Sequence, residues 1–177
     1  MEKMSLYFFT AAFGSLSAGT LFSLWYVFGK QERAGKYAAL TNWMGASLLT
    51  MSIIFRSIVA ERGPFSNQYE FTLAFTWGIV VVYLYVVRTF KLRTLGVFVL
   101  PVALGLMAYA STVPSAIEPL IPALQNNLLL TVHVSVAVVA YGTFSVAFGT
   151  AVMYLFQRND SVTWLPPRDT LEEVGYR

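Results

Sequence analysis

The sequence predicts an all-α polytopic membrane protein with five transmembrane helices, its N-terminus outside and its C-terminus cytoplasmic. Three observations predict it. Hydrophobic residues make up 56% of the 177 residues and charged ones only 12%, and the mean hydropathy is +0.60, far from the mix of a soluble domain. The apolar residues fall into five charge-poor runs, each near the length of about 20 residues that a bilayer core demands. The bases between the runs are asymmetric. Lys30, Arg33, Lys36, Arg88, Lys91, Arg93, Arg158 and, more distantly, Arg168 and Arg177 flank one side; only Lys3, Arg56 and Arg62 flank the other. By the positive-inside rule the first side is cytoplasmic. Residues 1–177 thus read as one transmembrane domain, multi-pass in the cell's inner or plasma membrane.

The spans are expected at about 5–29, 37–60, 71–87, 95–112 and 128–157. Ahead of the first, MEKMSLYFF lacks a small-x-small cleavage site followed by a polar sequence, so the run reads as a retained span rather than a signal peptide. The polar turn Lys30–Lys36 closes it. The second span carries Arg56 near its far end, and the loop Glu61–Glu70 contains the turn formers Gly63, Pro64, Ser66 and Asn67, where the chain reverses. Arg88, Lys91 and Arg93 end the third. Pro101 lies inside the fourth and predicts a kink, because its ring removes one helical hydrogen bond.

Between the fourth and fifth spans, Pro114, Pro119 and Pro122 cut the outer segment Val113–Asn127 into short pieces. Ile117, Leu120, Ile121 and Leu124 can bury one face in the interface, or the segment serves only as a spacer. Asn126 or Asn127 is positioned to cap the helix that follows. In the tail, Pro166 and Pro167 break the chain and Thr170-Leu171-Glu172-Glu173 reads as a capping box opening a new helix. So short a helix does not persist by itself, and the chain is expected to stop at the threshold of its next helix.

Small residues recur at helical spacing in the first span (Ala11, Ser15, Gly19; Gly14, Ala18) and, with Tyr141, in the fifth (Ala137, Ser145, Gly149), as packing seams require. Trp25, Tyr26, Tyr37, Trp43, Phe65 and Tyr69, near span ends, fit an interfacial aromatic belt. The net charge of +3 is small and dispersed, and implies no nucleic-acid partner. With no cysteine in the chain, a disulfide framework, a thiolate nucleophile and haem attachment through its own thiols are excluded.

His133 is the only histidine. It stands near the start of the fifth span, a turn or two below the outer surface, and no charged side chain lies between Glu118 and Arg158. Within that run it alone can take up a proton or ligate a metal near neutral pH. The competing reading is an interhelical hydrogen bond. Arg56 and Arg62 lie on the same side, where a snorkelling arginine at a span end is the plainer reading.

Three blocks, GPFSNQYEF (Gly63 to Phe71), IPALQNNLLLTVHV (Ile121 to Val134) followed by AYGTFSVAFG, and LPPRDTLEEVGYR at the end, resemble the first half of cytochrome c assembly proteins of the CcsA/ResC type. The resemblance implies a haem-handling membrane subunit of cytochrome c maturation. Such a subunit takes part in haem transport and holds haem b at the outer face for covalent attachment to the CxxCH cysteines of apocytochrome c, beside a CcsB/ResB-type membrane partner. Carried over, His133 corresponds to the first of two outer haem-ligating histidines, and Arg56 and Arg62 could meet haem propionates. The family's tryptophan-rich outer segment and second outer histidine are not in this chain. A second polypeptide carrying the missing half, or a second copy, would then complete the site. On this reading the chain is part of a cytochrome c synthase without a self-sufficient active site. The alternative is a non-catalytic scaffold or anchor, with His133 bonded between helices.

Overall fold

A computed structural model describes residues 2–63, 65–117, 127–157 and 160–176. It is all-helical among these residues, and five helices are long and apolar enough to cross a membrane. In order they are α1 (Glu2–Gly29), α2 (Glu32–Ala60), α3 (Gln68–Phe90), α4 (Gly96–Ala110), entered through a short 3-10 turn at Arg93–Leu95, and α5 (Asn127–Phe156), followed by the short α6 (Arg168–Tyr176). All five expected spans are present.

The helices outrun the apolar segments at several ends, for local reasons. In α2 the helix starts at Glu32 because the polar stretch before Tyr37 keeps helical hydrogen bonding. α3 starts at Gln68 because the Asn67 side chain accepts the Glu70 N–H, 2.9 Å away, satisfying an otherwise orphaned donor. Three helices end on non-glycine residues in the left-handed region, Lys30 (φ 49°), Glu61 (φ 53°) and Lys91 (φ 58°). Pro101 is accommodated within α4. α6 begins at Arg168, two residues before the expected cap: the Arg168 N–H donates to Asp160 Oδ1 at 2.9 Å, and Thr170 lies inside the first turn. Pro64 and the stretch 118–126, which holds Pro119, Pro122, PALQ and Asn126, lie outside the described residues.

α1 and α2 form an antiparallel hairpin stitched by small and hydroxylated residues. Ser5 and Ser52 each donate to the other's backbone carbonyl, at 3.0 and 2.8 Å, and Ser15 donates to the Thr41 carbonyl at 2.8 Å. Gly19 leaves room for the Asn42 amide, and a Cβ on Gly45 would lie 2.6 Å from Leu16 Cγ. The seam therefore runs through Ala12, Ser15, Leu16 and Gly19, while Ala11 and Gly14 of the expected rows face outward. On α5 the seam is Val134, Val138, Gly142, Val146, Gly149 and Met153. Of the expected row Gly149 is in it; Tyr141 is exposed, because a 3.6-residue period carries a strict i, i+4 row around the helix.

α3 and α5 touch backbone to backbone. A Cβ on Gly78 would stand 2.6 Å from the Val138 carbonyl oxygen, and one on Gly142 would stand 2.7 Å from the Gly78 carbonyl oxygen. Lipid tails supply no hydrophobic drive between helices, so such close approach carries much of the association. The tail folds back onto the bundle: Leu171 is buried, Trp164 stacks on Phe98 at 6.3 Å, and the Gln157 amide, 2% exposed, bonds the Val162, Leu165 and Pro166 backbone.

Candidate functional site

Five helix ends meet where α1 begins, α2 ends, α3 begins, α4 ends and α5 begins. Phe8 stacks on Phe55 and Phe9 packs on Tyr69. A buried ionic cluster lies at this end. Arg56, on the last turns of α2, has a fully buried side chain; its Nε donates to Glu70 Oε1 at 2.9 Å. Its Nη2 donates to the Ser115 carbonyl at 2.6 Å and reaches the Ala116 carbonyl at 3.5 Å. The guanidinium carbon sits 4.7 Å over the Tyr69 ring.

Glu70, also fully enclosed, is the hub. Its second oxygen accepts from the Ser66 N–H (2.8 Å), the Ser66 hydroxyl (2.9 Å) and Arg62 Nη1 (3.3 Å). Arg62 Nη2 donates to Ser66 Oγ at 2.6 Å, and Asn67 Nδ2 donates to the Ala116 carbonyl at 2.8 Å. A carboxylate removed from water needs its lone pairs filled, and here both oxygens are filled. Together Arg56 and Asn67 pin the segment after α4 to the start of α3.

Sequence reasoning placed Arg56 and Arg62 on one side of the membrane, and the structure joins them on one carboxylate. It missed Glu70, Ser66, Asn67 and Tyr69. Tyr69 (1% exposed) and Phe65 (8%), expected in an interfacial belt, are in the core, because the arginine and the α3–α5 contact draw them inward. Trp25, Tyr37 and Trp43 are exposed as the belt requires. Arg56 does not snorkel: its charge is met inside the fold. The signal for the hub was present, since an arginine inside a span without an acid on its own turn must find one on a neighbouring helix.

His133 stands apart from this cluster. Its helix approaches it through Thr131, whose hydroxyl would lie 3.1 Å from a Cβ on Gly63, and through Val134 and Val138, which pack with Phe65 and Ala74. His133 itself is on the outer face of α5, exposed with Leu129, Val132 and Val136. No described residue is seen to hydrogen-bond or ion-pair with its imidazole. Among the described residues no group of three or more His, Cys, Asp or Glu side chains could hold a metal ion. The ring therefore stands exposed on an apolar face of α5.

Residues 65–175 match the family described as cytochrome C assembly protein. The chain belongs to that family. Among similar proteins, the cytochrome c biogenesis protein CcsA of Trichormus variabilis is 39% identical over 121 residues, which are 66% of this chain and 33% of that protein. CcsA of Trichodesmium erythraeum is 34% identical over 151 residues, 80% of this chain and 43% of that one. CcsA of Trieres chinensis is 35% identical over 129 residues, 70% and 40% of the two chains. The chain therefore covers 33% to 43% of the length of these curated relatives. No solved structure matches it. The match begins at Phe65, so the ionic hub at Glu70, α3, α4, α5 and most of the tail lie within the family region, while Arg56 and Arg62 come from outside it.

Proposed function

We propose that this cytochrome c assembly protein is a haem-handling membrane subunit that holds haem b at the outer face of the membrane for attachment to apocytochrome c, with His133 as one axial ligand. The observation that carries the reading is the free imidazole of His133, exposed on an apolar helix face of a protein in this family. Bound haem would bring the vinyl groups to which substrate cysteine thiols add; this chain, without cysteine, contributes iron ligation and positioning. A neutral imidazole is a good axial ligand, and the neighbouring Leu129, Val132 and Val136 would limit water at a bound iron.

Arg62, on the loop side of the cluster, is the arginine that a haem propionate would meet first. Arg56 would be reached only in competition with the Glu70 carboxylate and the Ser115 carbonyl, so its main contribution is to hold the segment that leads towards α5. The second axial ligand and the tryptophan-rich part are assigned to a further polypeptide or a second copy. A CcsB/ResB-type membrane partner and an apocytochrome c bearing CxxCH complete the assembly, in the inner or plasma membrane with the α2–α3 loop outside, as the distribution of bases supports.

The test is the haem spectrum of the purified protein with its partner, for wild type, His133→Ala and His133→Gly. A shifted spectrum and lowered haem content in both variants, with recovery on adding imidazole to His133→Gly, is expected. An unchanged spectrum in His133→Ala would remove the histidine from the site. The scaffold reading, with His133 bonded between helices, predicts instead that His133→Gln supports cytochrome c maturation at the wild-type level.

A further inference from the structure

At the opposite end of the bundle, α2 and α3 part around a cleft of about 600 Å3, floored by α1. Its rim holds three cations, Arg88, Lys91 and Arg93, against a single acid, Glu32. Glu32 is already taken: Arg93 Nη1 donates to its Oε2 at 2.8 Å. Among the described residues Arg88 and Lys91 have no ion pair, so the rim keeps two uncompensated positive charges. Apolar side chains also line the cleft, Trp43 and Ala39 on α2 and Leu84 and Val87 on α3, beside the polar Ser23 and Tyr83. Trp43 is 48% exposed.

A cleft between two helices long enough to cross a membrane, lined by paired and unpaired cations together with apolar side chains, matches a ligand with an anionic head and a hydrocarbon chain. We propose that this cleft binds one anionic glycerophospholipid, its phosphate held by Arg88 and Lys91 and one acyl chain lying along Trp43, Leu84 and Val87. Basic pockets between membrane helices select anionic head groups because the charges act at low dielectric, where a zwitterionic head gains no net attraction. Glu32 lowers the affinity by neutralising Arg93. The site is separate from His133 and from the Glu70 cluster, so its occupancy does not depend on haem.

The experiment is lipid retention by the purified full chain, read by native mass spectrometry after exchange into phosphatidylglycerol or phosphatidylcholine. One phosphatidylglycerol per chain is expected, retained at least tenfold better than phosphatidylcholine. Arg88→Gln with Lys91→Gln is expected to lower phosphatidylglycerol affinity by about thirtyfold, from about fivefold for each lost charge. Glu32→Gln frees Arg93 and is expected to raise affinity severalfold, which keeps the proposal testable if the double variant does not fold. Equal retention of the two lipids, or no response to either set of substitutions, overturns the proposal. Displacement of the lipid by millimolar inorganic phosphate or glycerol phosphate overturns it too, since the site would then be recognising a soluble phosphate.

Discussion

Substituting Glu70→Gln keeps the size of the hub and removes its charge. Glu70 Oε2 accepts three donors, Ser66 N–H, Ser66 Oγ and Arg62 Nη1, and Oε1 accepts Arg56 Nε. A glutamine must place its one oxygen toward the three donors, which turns its NH2 group toward Arg56 Nε. A charge-assisted bond then becomes a donor–donor contact beside a fully buried guanidinium. Breaking one partner of a buried pair costs about 3–5 kcal/mol, because the remaining charge stays desolvated. Arg56→Met in the same chain removes that stranded charge, so the double variant is expected to regain about 2 kcal/mol over Glu70→Gln. The assay is reversible unfolding in mixed micelles, followed by helix content and tryptophan fluorescence, for wild type, both single variants and the double variant. A loss below about 1 kcal/mol for Glu70→Gln, or single effects that simply add, would refute the reasoning, since the pair would then be hydrated and independent.

Gly78→Ala forces a methyl group to within 2.6 Å of the Val138 carbonyl oxygen unless the helices shift; a loss of about 1–3 kcal/mol is expected, with α3 and α5 moving apart as measured by cross-linking of cysteines placed on their facing turns. Glu61→Gly is expected to stabilise the protein by about 1–2 kcal/mol in the same unfolding assay, because it relieves a left-handed φ of 53° and removes an acid from the negative end of α2. Gln157→Ala takes the side-chain partner from three backbone carbonyls, those of Val162, Leu165 and Pro166, and from the Val162 N–H. Each orphaned polar group costs about 1–3 kcal/mol, so the tail is expected to be cut by protease around residues 160–167 far faster than in wild type while the bundle survives.

The five helices were legible because burial in lipid demands long charge-free runs, a constraint stronger than any local propensity. Their ends were less so: Glu32 to Lys36 are too polar for a span yet continue α2, and Asn67 moves the start of α3 three residues upstream of Phe71. Of the candidate site, the placement of Arg56 and Arg62 at one end was legible from the charge pattern. The hub was not, because Glu70 borders an apparent polar loop and looks solvated until Asn67-x-x-Glu70 is seen as a helix start that turns the carboxylate inward. Tyr69 and Phe65 were misplaced for the same reason, since near a span end an aromatic ring can face either lipid or a buried cation. His133 stood out as a lone imidazole, but its outward orientation depends on the phase of α5, fixed by Gly142 against Gly78 rather than by any property of the histidine.

The Arg56–Glu70 pair also bears on how the chain enters the bilayer. The partners are 14 residues apart, on successive helices, so when α2 emerges its arginine has no acid to meet and must remain at the head-group level, where its charge is solvated. Only when α3 follows does Glu70 arrive, with Ser66 and Asn67 already turning its carboxylate toward α2. The pair thus ties the end of α2 to the start of α3. Through it the α1–α2 hairpin, which precedes the family region, is coupled to the bundle that defines that region.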